Sequence, residues 1–445
     1  MHQPAPADSR EAWLRLGVAV VLGTIGGIGM WSFPVALPAI QADFAVIRAD
    51  ASLPFTLAMA GFALGGFAMG WLLDRFGIVV PLLCGTAALA LGYVCAGAAR
   101  NLLEFALAHA LIGAGSSAML GPLMADTSQW FVRRRGIAVA LSSSGNYLAG
   151  AIWPPIVQHM IATAGWRATH VGIGLFCAVT MPPLALLALR RRAPGQHAVA
   201  ADAAAARAQV SLGLSPNALM ALLCIAGIAC CVAMAMPQVH IVAYCGDLGY
   251  GVARGAEMLA VMMACGIVSR VATGFIADRI GGLATLLLSS ALQGAALVLY
   301  LLFNSLVSLY VISGLFGLFQ GGLIPSYAII IREYFSPREA GTRVGIVLMA
   351  TLGGMALGGW MSGAIFDLTG SYHAAFANGL IWNVLNVSIA LWLLTRPGGR
   401  VAAAAWRRRL LTRIPSLRSE SDLSPQPGRG ETCGTAVRPL QRETR

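Results

Sequence analysis

The sequence predicts an all-α membrane protein in which twelve transmembrane helices fall into two related six-helix halves. Three observations carry this: a charge-poor composition, long apolar runs recurring between residues 15 and 395, and a motif repeated at a spacing of 204 residues. Hydrophobic residues make up 58 % of the chain and charged ones 11 %, whereas soluble domains carry roughly 25 % charged residues. A run of about 20 apolar residues crosses the hydrocarbon core as a helix. A membrane barrel would instead show short segments alternating apolar and polar residues, and the sequence has none.

The spans of the first half read as 15–39, 53–73, 78–98, 102–125, 136–160 and 168–189. Those of the second read as 217–243, 256–277, 284–303, 306–331, 343–366 and 374–395. This divides the chain into a first half at 1–189, a linker at 190–216, a second half at 217–395 and a tail at 396–445. The linker opens on Arg190-Arg191-Arg192 and is rich in alanine, with room for a short surface helix. The tail is rich in Arg, Pro, Ser and Gly, a composition that favours disorder. Residues 1–14 are largely polar and lead into the first span without an A-x-A cleavage site, so that span reads as retained.

All 30 basic side chains are arginines, and the net charge is +12. Their distribution excludes a nucleic-acid surface: eleven lie after Thr395, and most of the rest fall in short loops. With the N-terminus inside, the inner connections hold twelve loop arginines, Arg75 and Arg279 among them. The outer ones hold only Arg48, Arg100, Arg167 and Arg254. The positive-inside rule then puts both termini in the cytoplasm of a multi-pass inner-membrane protein. The nine cysteines form no CxxC pair and no zinc-type spacing with histidine, so no metal or other cofactor is expected. No HExxH or GxSxG pattern marks an enzyme. The partners expected are the lipid bilayer and a small solute, and the protein reads as a monomer.

The repeat is clearest at the ends of the second and eighth spans. Gly70-Trp-Leu-Leu-Asp74-Arg75-Phe-Gly77 recurs as Gly274-Phe-Ile-Ala-Asp278-Arg279-Ile-Gly281, 204 residues later. The same offset carries Trp130-Phe131 onto Tyr334-Phe335 and Gly113 onto Gly317. Three matches at one offset point to a duplicated unit, a recurrent transporter plan. G-x-x-x-D-R-x-G between the second and third spans resembles the signature loop of the major facilitator superfamily, over roughly residues 15–395. The resemblance implies alternating access, with Gly70, Asp74, Arg75, Gly77, Asp278 and Arg279 fastening and releasing a cytoplasmic gate. It also implies a cavity lined by helices 1, 4, 7 and 10. Pro34, Pro38, Pro237 and Pro325 are expected to kink three of those helices. Interleaved GxxxG spacings, Gly61 to Gly70 and Gly354 to Gly363, mark close helix contacts, either static or moving.

Arg270 stands alone in an apolar span, eight residues before Asp278. At 1.5 Å per residue that is about 12 Å from the inner surface. A mid-membrane arginine costs several kcal/mol and faces a cavity or a partner. Its repeat equivalent is Gly66, so the cation belongs to one half only. No acidic residue stands at a similar depth, so the guanidinium should attract an anion, ideally a carboxylate in bidentate contact. Tyr327, Asn146, Gln320, Trp31 and Ser116 are further candidates for the pocket.

Trp130-Phe131, the triplet Arg133-Arg134-Arg135 and the small residues up to Gly150 resemble the start of helix 5 in the monocarboxylate porters, a branch close to the oxalate–formate antiporters. Arg270 matches the carboxylate-binding arginine of their helix 8. The resemblance implies a carrier of small organic anions, working by proton symport or anion exchange. Two positions depart from the animal members. Val35 follows Phe33-Pro34 where they have lysine, and Gly266 replaces an acid one turn before Arg270. Both missing groups serve proton coupling there, which leaves the coupling ion open. The alternative is a drug or metabolite exporter of the same superfamily. Those carry Gly-Pro in helix 5, where this chain has Trp153-Pro154-Pro155.

Overall fold

The computed structural model describes residues 9–131, 135–189 and 212–396. The triplet residues Arg133 and Arg134, most of the expected linker and the tail beyond Arg396 lie outside the described residues. Eleven helical stretches are long and apolar enough to cross a membrane, and one of them is two helices in line. We number twelve spans: α1 Arg10–Phe44, α2 Arg48–Phe76, α3 Val79–Ala98 and α4 Leu102–Trp130. Within Ile137–Leu187 the backbone breaks at Gly165 (φ 81°), giving α5 (137–164) and α6 (166–187). The second half holds α7 Pro216–Asp247, α8 Val252–Ile280, α9 Gly282–Leu302, α10 Leu306–Tyr334, α11 Pro337–Thr369 and α12 Tyr372–Thr395.

The halves pack alike. In each, the second helix meets the fourth, the third meets the sixth, and the first meets the fifth. The repeat reaches single contacts. A Cβ on Gly113 would collide with the carbonyl oxygen of Ala58, and one on Gly317 with that of Met262, so both pairs carry the 204-residue offset. Gly65 sits against the Ser117 hydroxyl, and Gly321 against Ser269, the same contact with the residue types exchanged. Gly77 (φ 80°) and Gly281 (φ 83°) end α2 and α8, each donating its N–H to the carbonyl four residues back. That backbone conformation is open to glycine and strained for other residues.

Helix breaks fall at glycines more than at the prolines. Helix α1 stays helical through Pro34 and Pro38 and interrupts at Gly27 instead, and α7 runs unbroken through Pro237. Gly27 presses on α5, where an added Cβ would lie 2.6 Å from the Ala149 methyl. The break frees two carbonyls, and neighbours answer both: Trp153 Nε1 donates to Thr24 O (2.7 Å) and Ser116 Oγ to Gly26 O (3.0 Å). In α10 the break at Gly321-Gly322 lies just before Pro325, which has no N–H to return to Gly321.

The two ends of the bundle differ. At the end bearing the α1–α2 connection, Arg48 joins the halves. Its guanidinium donates to Asp247 at 3.2 and 3.4 Å, and also to Tyr372 and Gln41. Asp367 accepts the backbone N–H groups of Arg48 and Ala49 at 2.9 and 2.6 Å. There α11 presses on α2, with Gly359 against Phe55 and Gly363 against Arg48. At the end bearing the termini, no hydrogen bond or ion pair between described residues crosses from one half to the other. Gly70 of α2 and Gly341 and Gly345 of α11 face open space there. The GxxxG glycines therefore split by role: Gly61 and Gly65 bind α2 to α4 within one half, while Gly359 and Gly363 close the seam between halves.

Valine at Gly113 or Gly317 meets backbone and should cost about 1–3 kcal/mol, as overpacking does. Gly70→Ala, with nothing within 4 Å, should leave the melting temperature of the purified protein unchanged or higher. Thermal unfolding in detergent checks the contrast. Equal losses at the three positions would contradict this packing.

Candidate substrate cavity

A cavity of about 180 Å³ lies between the halves, walled by α1, α2, α4 and α5 on one side and α7, α8, α10 and α11 on the other. The wall is mostly apolar, with Met30, Phe62, Met234 and Leu352 among its residues. The polar exceptions are Asn146, Tyr147, Gln238, Arg270 and Thr351, plus the indole N–H of Trp31. Arg270 is the one charged residue in that wall.

The Arg270 guanidinium sits over the Tyr147 ring, 4.6 Å from its centroid. Its Nε is buried with no hydrogen-bond partner, and among the described residues no acid pairs with it. A second arginine shows the contrast. Arg15, in α1, is 4 % exposed and grips Asp126 of α4 through Nε and Nη2, both at 2.9 Å. It also lies over the Trp130 ring at 4.5 Å. Arg15 is thus a structural ion pair that the sequence reading passed over, although Asp126 is a rare acid in that span. The protein answers the charge of Arg15 and leaves that of Arg270 to stacking alone.

The predicted site residues separate into two groups. Arg270, Asn146 and Trp31 meet at the cavity, where Trp31 Nε1 donates to Asn146 O at 3.0 Å and reaches Asn146 Oδ1 at 3.3 Å. Tyr327, Gln320 and Ser116 do not line it. Tyr327 is buried behind the wall and donates to Asn386 Oδ1 (3.2 Å), which belongs to a polar cluster with Ser290. Gln320 Oε1 accepts from Gln238 Nε2 (2.8 Å), so Gln238 presents itself to the cavity and Gln320 backs it. Ser116 is occupied at the α1 break. Tyr147, Gln238 and Thr351 were missed. Tyr147 adjoins the selected Asn146, yet an aromatic in a span more often only packs, and no spacing rule singles it out. His240 lies elsewhere, bonded through Nε2 to Gly359 O at 2.8 Å near the Arg48 cluster.

Of the gate residues, Arg75 lies over Trp71 and Phe76 at 5.5 and 5.7 Å. Asp74, Asp278 and Arg279 form no ion pair with any described residue. They stand at the end of the bundle that bears the termini.

Two six-helix halves around a central cavity define a membrane transporter. The family described as the Major Facilitator Superfamily matches residues 19–312 and 272–423, and this chain belongs to it. It is a transporter and not an enzyme. The chain is 25 % identical over 390 residues to monocarboxylate transporter 13 of Rattus norvegicus, covering 84 % of this chain and 87 % of that one. It is also 25 % identical over 377 residues to the MFS-type transporter pynF of Aspergillus niger, covering 82 % and 84 %. A crystal structure of a bacterial homologue of the human lysosomal transporter Spinster, in an inward-facing and occupied conformation, superposes with a TM-score of 0.64. That match covers 91 % of this chain and 98 % of the other at 15 % identity, a likeness of fold.

Arg15, which is buried, and Arg270, which is half-buried at the cavity, should respond oppositely to loss of a charge. Asp126→Ala removes the bidentate carboxylate held by the buried Arg15 guanidinium and should cost about 3–5 kcal/mol. Arg270→Met deletes a cation that has no partner to strand, so the melting temperature should hold or rise. A large destabilisation by Arg270→Met would mean that Arg270 has a structural partner.

Proposed function

We propose that this chain carries small organic anions, above all monocarboxylates with an apolar body, by alternating access. One observation carries the reading: Arg270 lines the cavity with its charge unneutralised and its donors free among the described residues. A carboxylate supplies both the charge and a bidentate acceptor. Most of the remaining wall is methionine, leucine and aromatic rings, with Asn146, Gln238 and Thr351 as neutral polar groups. A second carboxylate on the same molecule would find no second cation in that wall, which argues against dicarboxylates. The relative named a monocarboxylate transporter supports the same class.

The twelve-to-four arginine asymmetry supports cytoplasmic termini in an inner membrane. In that orientation Arg48, Asp247, Asp367 and Tyr372 form an outer latch. Gly70, Asp74, Arg75, Gly77, Asp278 and Arg279 then form the cytoplasmic gate. We further propose that the protein acts as a monomer. Transport is by symport with protons or exchange of anions. Val35 and Gly266 supply no ionisable group where the animal porters have one.

The test is uptake into proteoliposomes of acetate, pyruvate, 4-methyl-2-oxopentanoate and benzoate, with succinate as the dianion. Monocarboxylates with apolar bodies should enter, and Arg270→Ala should abolish their uptake. Arg270→Lys keeps the charge without the planar fork and should weaken transport about tenfold or more. Wild-type rates and affinity in Arg270→Ala would overturn the anion reading. Asp74→Ala should slow turnover and leave affinity nearly unchanged. Loss of affinity with normal turnover would move Asp74 from the gate to the site.

A further inference from the structure

Arg270 and Gly266 lie one turn apart on α8 and share a face. Tyr147 reaches that face from α5, in the other half of the molecule. An added Cβ at position 266 would lie 2.5 Å from Tyr147 Cε1 and 2.7 Å from Cδ1. The ring therefore occupies the space that any side chain at 266 would need. From that seat it lies under the guanidinium, 4.6 Å from centroid to Cζ, and is only 7 % exposed. We infer that Tyr147 is the positioning residue for the substrate arginine, that Gly266 is the vacancy admitting it, and that together they replace an acidic counter-ion with an aromatic platform. This rests on the anion-site reading above.

The two arrangements differ in what they leave for the substrate. A carboxylate at 266 would take donors from the guanidinium and cancel its charge. An aromatic ring attracts the cation through its face, while the N–H groups radiate in the guanidinium plane, off the ring. Tyr147 thus holds Arg270 in one orientation and consumes none of its hydrogen bonds. The Tyr147 hydroxyl makes no hydrogen bond among the described residues, which adds a donor at the same wall. Since the ring and the arginine belong to opposite halves, the cation is aimed only while the α5–α8 seam holds. That seam is tight: an added Cβ on Gly150 of α5 would lie 2.5 Å from the Met263 side chain of α8.

The geometry makes Tyr147 and Gly266 interdependent, and a substitution cycle reads that. The assay is isothermal titration of benzoate into the purified full-length protein, with Arg270→Ala as reference. Tyr147→Leu should weaken benzoate about tenfold, within the range of a desolvated cation–π contact, and Tyr147→Phe should stay within about threefold. Gly266→Ala displaces the ring and should also weaken binding about tenfold. In a Tyr147→Leu background, however, it should add little, because the clash has gone. Tyr147→Met, closer in volume, replaces Tyr147→Leu should that variant not fold. Should Arg270→Ala lose benzoate while the Tyr147 and Gly266 variants bind like wild type, or their losses simply multiply, the positioning role is overturned and the anion site stands. Should Arg270→Ala bind benzoate as wild type does, or the wild type bind none, the underlying anion reading falls instead.

Discussion

A guanidinium inside a membrane protein is stable only when its surroundings answer its charge, and around Arg270 the described residues offer a ring face and no acid. The rest of the site follows from that constraint. The cation needs a cavity, and the cavity needs walls from both halves. The one charged group in those walls then decides what fills it. The same protein shows the alternative at Arg15, whose bidentate pairing with Asp126 leaves no charge for a ligand. Burying a charge is therefore no bar to pairing it in this fold. At Arg270 no described acid supplies such a pairing, and one turn before it stands Gly266, which has no side chain.

Duplication and its local failures explain how one site arises in a twofold scaffold. Gly113 with Ala58 and Gly317 with Met262 repeat a contact, and Gly65–Ser117 and Ser269–Gly321 repeat it in mirror fashion. At the next position the symmetry stops, with Gly66 in one half and Arg270 in the other. The helix breaks that shape the cavity wall are stabilised from outside. Ser116 and Trp153 donate to the carbonyls of Gly26 and Thr24 beside the break at Gly27, which supports an irregular backbone inside the membrane.

The spans, the duplication and Arg270 were legible in the sequence because each leaves a one-dimensional signature: apolar length, a fixed offset, and a charge where none belongs. The wall opposite Arg270 was not. Tyr327 and Gln320 share a helix face, as periodicity indicated, but that face turns toward the polar cluster of the second half and toward Gln238. Ser116 was selected for its depth, and its hydroxyl is spent on α1. Tyr147 carries no pattern of its own. Its role exists only because Gly266, 119 positions away, is empty, and a relation between two helices of different halves has no local signal. The helix breaks fall at Gly27 and Gly321, where backbones approach or a proline withholds its N–H, while Pro34, Pro38 and Pro237 sit in continuous helix.

If an unanswered positive charge selects the substrate, the purified protein should separate two ligands of one shape and different charge, benzoate and benzamide. Competition against a bound radiolabelled monocarboxylate measures both at constant pH. Benzoate should displace the label, and benzamide, isosteric but neutral, should fail to do so at any comparable concentration. Equal displacement by the two would show that shape and apolar contact carry recognition, and that the charge of Arg270 does not.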